Sequence, residues 1–323
     1  MAVLLMAYGS PRTIEEIEPY YTHIRGGRKP SNEEIDDLKR RYAAIGGVSP
    51  LLKITQSTAS KLENRFRSRP ERAEIRVFAG MKHSKPFISE VMKQMASEGI
   101  TKILAVALAP HFSRMSIGGY QDAVKRANEE LRNQMELHFV DQWYNNRLFV
   151  EKWAKRIKEA RQKYFAGEKS VFHLFTAHSL PERILSWGDP YRDQLYESAG
   201  SIASFLALKE EEFGFAFQSA GHTSEPWFGP DILDKIKTLR GERGEKTYSR
   251  NVLIAPIGFV SDHLEILYDI DIEAKNLARE LGIKLERTSS FNDSDDLLDI
   301  LESVIEGSGF LAKEETPKQL SSL

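Results

Sequence analysis

The stretch VFHLFTAHSLPE, residues 171–182, decides the fold. An unbroken apolar run reads as a strand buried on both faces, and it stops abruptly at His178, Ser179 and Pro181. Burial on both faces belongs to a parallel sheet covered by helices, where ligands bind in the crevice beyond the carboxyl ends of the strands. A histidine at that end is placed for chemistry. The plainer reading of His178 is a cap on the next helix through a backbone hydrogen bond, and His173, inside the run, reads as a packed histidine.

Outward from this strand the same pattern repeats. Short apolar runs lie at Val3 to Ala7, Ile75 to Ala79, Ile103 to Ala109 and Leu137 to Val140, then at Phe213 to Gln218, Val252 to Ile257 and Ile283 to Arg287. Helix-period segments separate them, such as Pro86 to Ser97, Tyr120 to Asn133, Pro190 to Leu206, Pro230 to Leu239 and His263 to Leu281. Alternating strands and helices predict an α/β chain with parallel sheets. Two tandem Rossmann-like halves are expected, residues 1–150 and 151–323, joined by an amphipathic helix near Arg147 to Lys163. The cleft between them is the expected ligand site. A last helix, Asp295 to Ile305, leads into a polar tail expected to fray.

The insertion Ser10 to Leu51 breaks the symmetry by separating the first strand from a helix expected near Ile54. It mixes Tyr20, Tyr21 and Ile24 with basic residues and the turn Gly46-Gly47-Val48-Ser49-Pro50. Long insertions at the carboxyl edge of a sheet serve as lids. A flat apolar ligand with acidic groups suits such a surface.

The 323 residues, 41% hydrophobic and 28% charged, suffice for about two cored domains. A net charge of −2 supplies no general attraction for nucleic acid. Cysteine is absent, which excludes disulfides, thiolate nucleophiles and cysteine-ligated iron-sulfur clusters within the chain. No apolar run approaches the roughly 20 residues that span a bilayer, and Met1 to Met6 does not form a signal peptide. A cytoplasmic protein is expected, without stable membrane insertion.

A second candidate is the segment PIGFVSDHLEILYDIDIE, residues 256–273. Glu265, Asp269 and Glu273 recur every fourth residue and share one helix face, drifting by about 40° per step in a regular α-helix; a π-bulge would straighten the row. The plainer reading is a solvated acidic face, which suits Asp271. Against it, the row starts directly after a buried strand, so Glu265 can converge with His178. Imidazole nitrogen and carboxylate oxygen together suit a first-row divalent metal. Tyr8, His83 and His111 stand at other strand ends; Tyr8 offers a phenol to a metal or ring, or simply packs the first turn. No phosphate-loop motif occurs at a strand-to-helix junction, which disfavours nucleotides.

LLMAYGSP, YYTHIRGGRKP, RYAAIGGVSPL, LAPHFS, TAHSLPE, PWFGPD and GFVSDHLEILYDID occur in this order over nearly the whole chain. In these strings the chain resembles ferrochelatases, most closely the soluble coproporphyrin III enzymes of Gram-positive bacteria. The resemblance implies a porphyrin held between two Rossmann-like halves beneath the insertion. It implies that His178 and Glu265 handle ferrous iron on one face of the ring, with Tyr8 on the other as an axial ligand to the metallated product. Arg25, Arg41, Tyr42, Ser49 and Tyr120 would surround the macrocycle and hold its propionates, as the planar arginine fork pairs bidentately with carboxylate. Asp269 and Glu273, with Arg41 nearby, resemble an outer site for a hydrated divalent ion such as Mg2+ or for carrying protons away.

The implied reaction inserts ferrous iron into coproporphyrin III and releases two protons, with protoporphyrin IX as the alternative substrate. Iron is substrate, and no tightly bound cofactor is expected. The cysteine ligands of the iron-sulfur cluster found in many relatives are missing, as is their dimerising extension, so a monomer is expected. Partners would be the porphyrin, ferrous iron and, transiently, neighbouring haem-synthesis enzymes or an iron donor. The remaining alternatives are a cobalt chelatase acting on sirohydrochlorin, which tends to carry a second histidine where Glu265 stands, and a non-catalytic porphyrin carrier, which needs no acidic row.

Overall fold

The computed structural model describes residues 1–221, 223–240 and 250–311. The tail expected to fray lies, from residue 312 onward, outside the described residues. Strands β1 (Ala2–Ala7), β2 (Arg76–Met81), β3 (Lys102–Ala107) and β4 (Glu136–Val140) form a parallel sheet in the order β2-β1-β3-β4. Strands β5 (Phe172–His178), β6 (Phe213–Gln218), β7 (Asn251–Ala255) and β8 (Lys284–Arg287) form a second one in the order β6-β5-β7-β8. The order is the same in both halves, so the expected α/β fold of two tandem Rossmann-like units is the one observed.

This order places the crevices. In each half the chain leaves the central strand to one side and then crosses to the other, which opens a gap at the carboxyl ends of the first and third strands. Tyr8 follows β1, His178 ends β5, and the segment carrying Glu265 follows β7. All three stand at a switch point.

Ten α-helices are described. They are α1 (Ile17–Ile24), α2 (Asn32–Ala44), α3 (Leu51–Arg67), α4 (Ile88–Ser97), α5 (Gly119–Glu130), α6 (Arg147–Phe165), α7 (Tyr191–Phe205), α8 (Ile232–Leu239), α9 (Lys275–Glu280) and α10 (Asp295–Gly307). The insertion is helical: α1 and α2 occupy it, α2 opening on a capping box in which Ser31 and Glu34 exchange bonds with each other's backbone N–H. The helix expected near Ile54 starts at Leu51, directly after Pro50, because Ser49 Oγ accepts the Leu51 N–H at 3.3 Å and caps the turn earlier. Strand β7 ends at Ala255 rather than Ile257, since Pro256 has no N–H to continue the ladder.

One hydrophobic cluster spans both halves. It joins Leu5 of β1, Leu62 and Phe66 of α3, Phe149 and Trp153 of α6, Phe175 of β5 and Leu301 of α10. Helix α10 belongs to the second half in sequence but packs on α3 of the first. Arg65 Nη1 lies 2.7 Å from Asp299 Oδ1 and Arg69 Nη2 2.8 Å from Glu302 Oε2 across that seam. The two sheets therefore share a core, which fixes the cleft between their carboxyl ends.

Candidate active site

His178 is the last residue of β5, and its Nδ1 lies 2.9 Å from Glu265 Oε2. The plainer reading of His178, a backbone cap on the next helix, is replaced by this pairing across the crevice. Gly258 makes it possible: a Cβ there would stand 2.8 Å from the Ala177 Cα, so only glycine lets the loop after β7 approach the end of β5. Glu265 opens a π-helix, Glu265–Ala274, that runs into α9. Asp269 feels the charges of both Glu265 and Glu273, so the three carboxylates stay close to one another along this element.

A second histidine holds Glu265 from the other side. His263 donates its Nδ1–H to the Ser261 carbonyl at 3.0 Å, which turns Nε2 toward Glu265 Oε2 at 3.8 Å. Burial alone would raise the Glu265 carboxyl, but the two histidines outweigh it and hold the group well below the usual carboxylate range. Burial would likewise lower His178 and His263, and the charge of Glu265 raises both above an ordinary histidine. Glu265 is thus held ionised, and its charge makes both imidazoles more basic than an ordinary histidine.

Asp269 behaves in the opposite way. It is 6% exposed, and burial followed by the charge of Glu265 pushes it up to about 7, against the pull of Ser219 and Arg41. Ser219 Oγ donates to Asp269 Oδ2, and Arg41 Nη1 stands 3.6 Å from Asp269 Oδ1. Arg41 also bonds Asp37 and lies over the Tyr268 ring, with its Cζ 5.1 Å from the centroid. Because Arg41 belongs to α2, this contact lays the insertion against the π-helix of the other half.

Tyr8 sits across the cleft at the end of β1. Gly9 follows with φ +98°, a left-handed turn that a side chain would disfavour, and its carbonyl accepts the Tyr20 hydroxyl at 2.9 Å. Tyr8 is 43% exposed although the cleft walls crowd it. Those walls and then the charge of Glu265 raise its phenol, which places Tyr8 within the field of the opposite half. The same field reaches Tyr42 of α2, already raised by burial.

His178, Glu265, Asp269, Arg41 and Tyr8 are therefore brought together, with Glu273 within the electrostatic reach of Arg41 and Asp269. The remaining expected residues have partners of their own. Arg25 pairs with Glu34 at 2.5 Å, Ser49 caps α3, and Tyr120 is buried in the core of the first sheet beneath Lys82. His111 bonds Ser198 at 2.9 Å, and His173 bonds the Glu212 carbonyl at 3.2 Å, and both are buried. Among the described residues no group of three or more His, Asp or Glu side chains is arranged to hold one metal ion.

Four site residues escaped sequence reasoning. His263 stands two residues before Glu265, and that proximity was its only signal. Gln218 pairs in register with His178 across β5 and β6 and donates to the Glu265 carbonyl at 2.9 Å. Ser219 follows it at φ +60°. Tyr191 at the start of α7 donates to the His178 carbonyl at 3.0 Å. Inspecting the ends of the strands flanking β5 would have found Gln218 and Ser219.

A profile of the ferrochelatase family matches residues 1–308. The chain belongs to the ferrochelatase family. A ferrochelatase of Herpetosiphon aurantiacus is 47% identical over 308 residues, 95% of this chain and 98% of that one. Coproporphyrin III ferrochelatases of a Geobacillus species and of Halalkalibacterium halodurans are each 42% identical, over 94% and 95% of this chain and 96% of theirs. Among solved structures, SirB of Bacillus subtilis with Fe3+ superposes at a TM-score of 0.56, covering 96% of this chain and 95% of that one. At 10% identity that likeness shows the chelatase fold alone. For this ferrochelatase-family member, a porphyrin and a divalent metal are the substrates the family implies. Among the described residues no helix is long and apolar enough to cross a membrane.

Proposed function

We propose that this chain inserts ferrous iron into coproporphyrin III, yielding the iron porphyrin and two protons. The observation that carries the proposal is the His178–Glu265 pair at one switch point, facing Tyr8 at the other, with Glu265 acting electrostatically on both walls. A flat macrocycle between them would meet an imidazole and carboxylate on one face and a phenol on the other. His178 Nε2 makes no hydrogen bond among the described residues and is the nitrogen available for iron or a pyrrole proton. Glu265, held ionised, attracts the divalent ion and orients the ring. Protons then pass to Asp269, whose pKa of about 7 suits acceptance and release near neutrality. Asp269, Glu273 and Arg41 form the outer site, for a hydrated ion such as Mg2+ or for this relay.

Coproporphyrin III is favoured because relatives at about the same similarity along the whole chain are named for it. Its four carboxylates need cations and hydroxyls, which we assign to Arg25, Arg41, Tyr42, Ser49 and Tyr120. Protoporphyrin IX, with two carboxylates, is the second reading. It is supported by the existing engagement of Arg25 with Glu34 and of Arg41 with Asp37. We assign a monomer working in the cytoplasm, in transient contact with an iron donor and neighbouring enzymes of haem synthesis.

The test is a competition under nitrogen, with ferrous iron offered to both porphyrins and each product followed by its visible spectrum. A kcat/KM at least tenfold higher for coproporphyrin III supports the assignment. The reverse preference keeps the chemistry and replaces the substrate.

A further inference from the structure

His23 of α1 and His83 of the turn after β2 bring their Nδ1 atoms to 3.0 Å. His83 packs against Tyr8 with ring centroids 4.5 Å apart, and Phe87 lies 5.2 Å from His23. An open cavity of about 840 Å³ reaches both imidazoles and is lined also by Glu18, Thr22 and Arg126. Nothing in the iron-insertion account uses this pair. Neither ring forms a further hydrogen bond through Nε2 among the described residues.

We propose that His23 and His83 form a second metal site, a bis-imidazole cradle for a tetragonal divalent ion, Ni2+ or Cu2+, behind Tyr8. Two imidazole nitrogens each about 2.05 Å from one ion stand about 2.9 Å apart at a right angle and about 3.3 Å apart at the tetrahedral angle. The observed 3.0 Å fits the right angle. Nitrogen donors in tetragonal array select Cu2+ or Ni2+ over tetrahedral Zn2+. In the metal-free pair one Nδ1 donates and the other accepts. On metal entry the donor ring shifts its proton to Nε2, so both Nδ1 lone pairs reach the ion and no net proton is released. The cavity leaves the remaining coordination positions to water. Glu18 on the cavity wall already pairs with Lys29 at 2.7 Å, and Arg126 on the same wall and the neighbouring Lys82 oppose a cation, so the site rests on the two imidazoles and is weaker than an acidic one.

The site differs in kind from the His178–Glu265 pair, which mixes nitrogen with carboxylate and lies across the cleft. Calorimetric titration of the metal-stripped full chain with nickel chloride, without porphyrin, tests it. His23→Ala and His83→Ala should each lose one nickel equivalent that Glu265→Gln retains. His23 is exposed, so its replacement leaves the fold intact. Unchanged nickel stoichiometry and affinity in His23→Ala overturns the proposal. A second readout uses the unaltered chain: sub-stoichiometric Cu2+ should broaden the ring signals of His23 and His83 together in NMR spectra. Broadening confined to other histidines also overturns it.

Discussion

His178 and Glu265, 87 residues apart in sequence, are joined by a 2.9 Å contact between Nδ1 and Oε2 at the mouth of the second sheet. The contact ties the end of β5 to the first residue of the π-helix. Each group shifts the other: the carboxylate raises the imidazole, and the imidazole helps hold the carboxylate ionised. Glu265→Gln keeps the shape and removes the charge. It should lower iron insertion by about 100-fold, the usual range for a proton-transfer group, with porphyrin binding changed only a few-fold. In the same variant the His178 ring should titrate at lower pH by NMR. Parental turnover in Glu265→Gln would remove this carboxylate from the chemistry.

Asp269 makes stability depend on pH. Its folded pKa is about 7 against an ordinary 3.8, so between these values the folded state binds more protons than the unfolded one. The sign follows from linkage: its contribution is fully present below about pH 4 and is lost as pH rises through about 7. Asp269→Asn cannot ionise, so it should be less sensitive to pH across this window and more stable than the parent at pH 8. Thermal melts at pH 5 and pH 8 measure this; an identical pH dependence in the two proteins would refute the shift.

Tyr191 positions His178 by donating its hydroxyl to the His178 carbonyl at 3.0 Å. The Asp189 carboxylate fixes the same turn, accepting from Tyr191 N at 3.1 Å, Ser113 Oγ at 3.0 Å and Arg114 N at 2.8 Å. Tyr191→Phe should cost about 1 kcal/mol of stability and lower kcat with little change in KM, because the ring remains and only the anchoring bond is lost. A rise in KM at constant kcat would instead make Tyr191 a substrate contact.

Trp153 is fully buried in the cluster shared by the two halves and packs edge-on to Phe291 at 4.7 Å. Trp153→Ala should destabilise the protein by about 3–5 kcal/mol and leave a single unfolding transition, because the cavity opens in a common core. Two separated transitions in calorimetry would show that the halves unfold independently.

Much of this was readable from sequence for a definite reason. Central strands such as Val171 to Ala177 are buried on both faces, so they stand out as apolar runs, and the residue where a run stops marks the edge at which the crevice opens. His178 emerged in that way, and the row Glu265, Asp269 and Glu273 showed its period. The helices of the insertion were less visible, because α2 buries only Ile35 and Tyr42 and otherwise presents a polar surface. The grip of Arg41 on Asp269 required a resemblance, since a basic run on a polar helix ordinarily reads as solvated charge. Gln218 and Ser219 depend on strand register, and Tyr191 on the packing of α7, neither of which leaves a periodic trace.

The most direct test compares the parent and His178→Ala under nitrogen, with ferrous iron and coproporphyrin III, following insertion by visible absorption and porphyrin binding by fluorescence quenching. The account predicts many turnovers by the parent and insertion at least about 100-fold slower in His178→Ala, with porphyrin still bound. Parental turnover by His178→Ala, or stoichiometric binding without turnover by the parent, would contradict it.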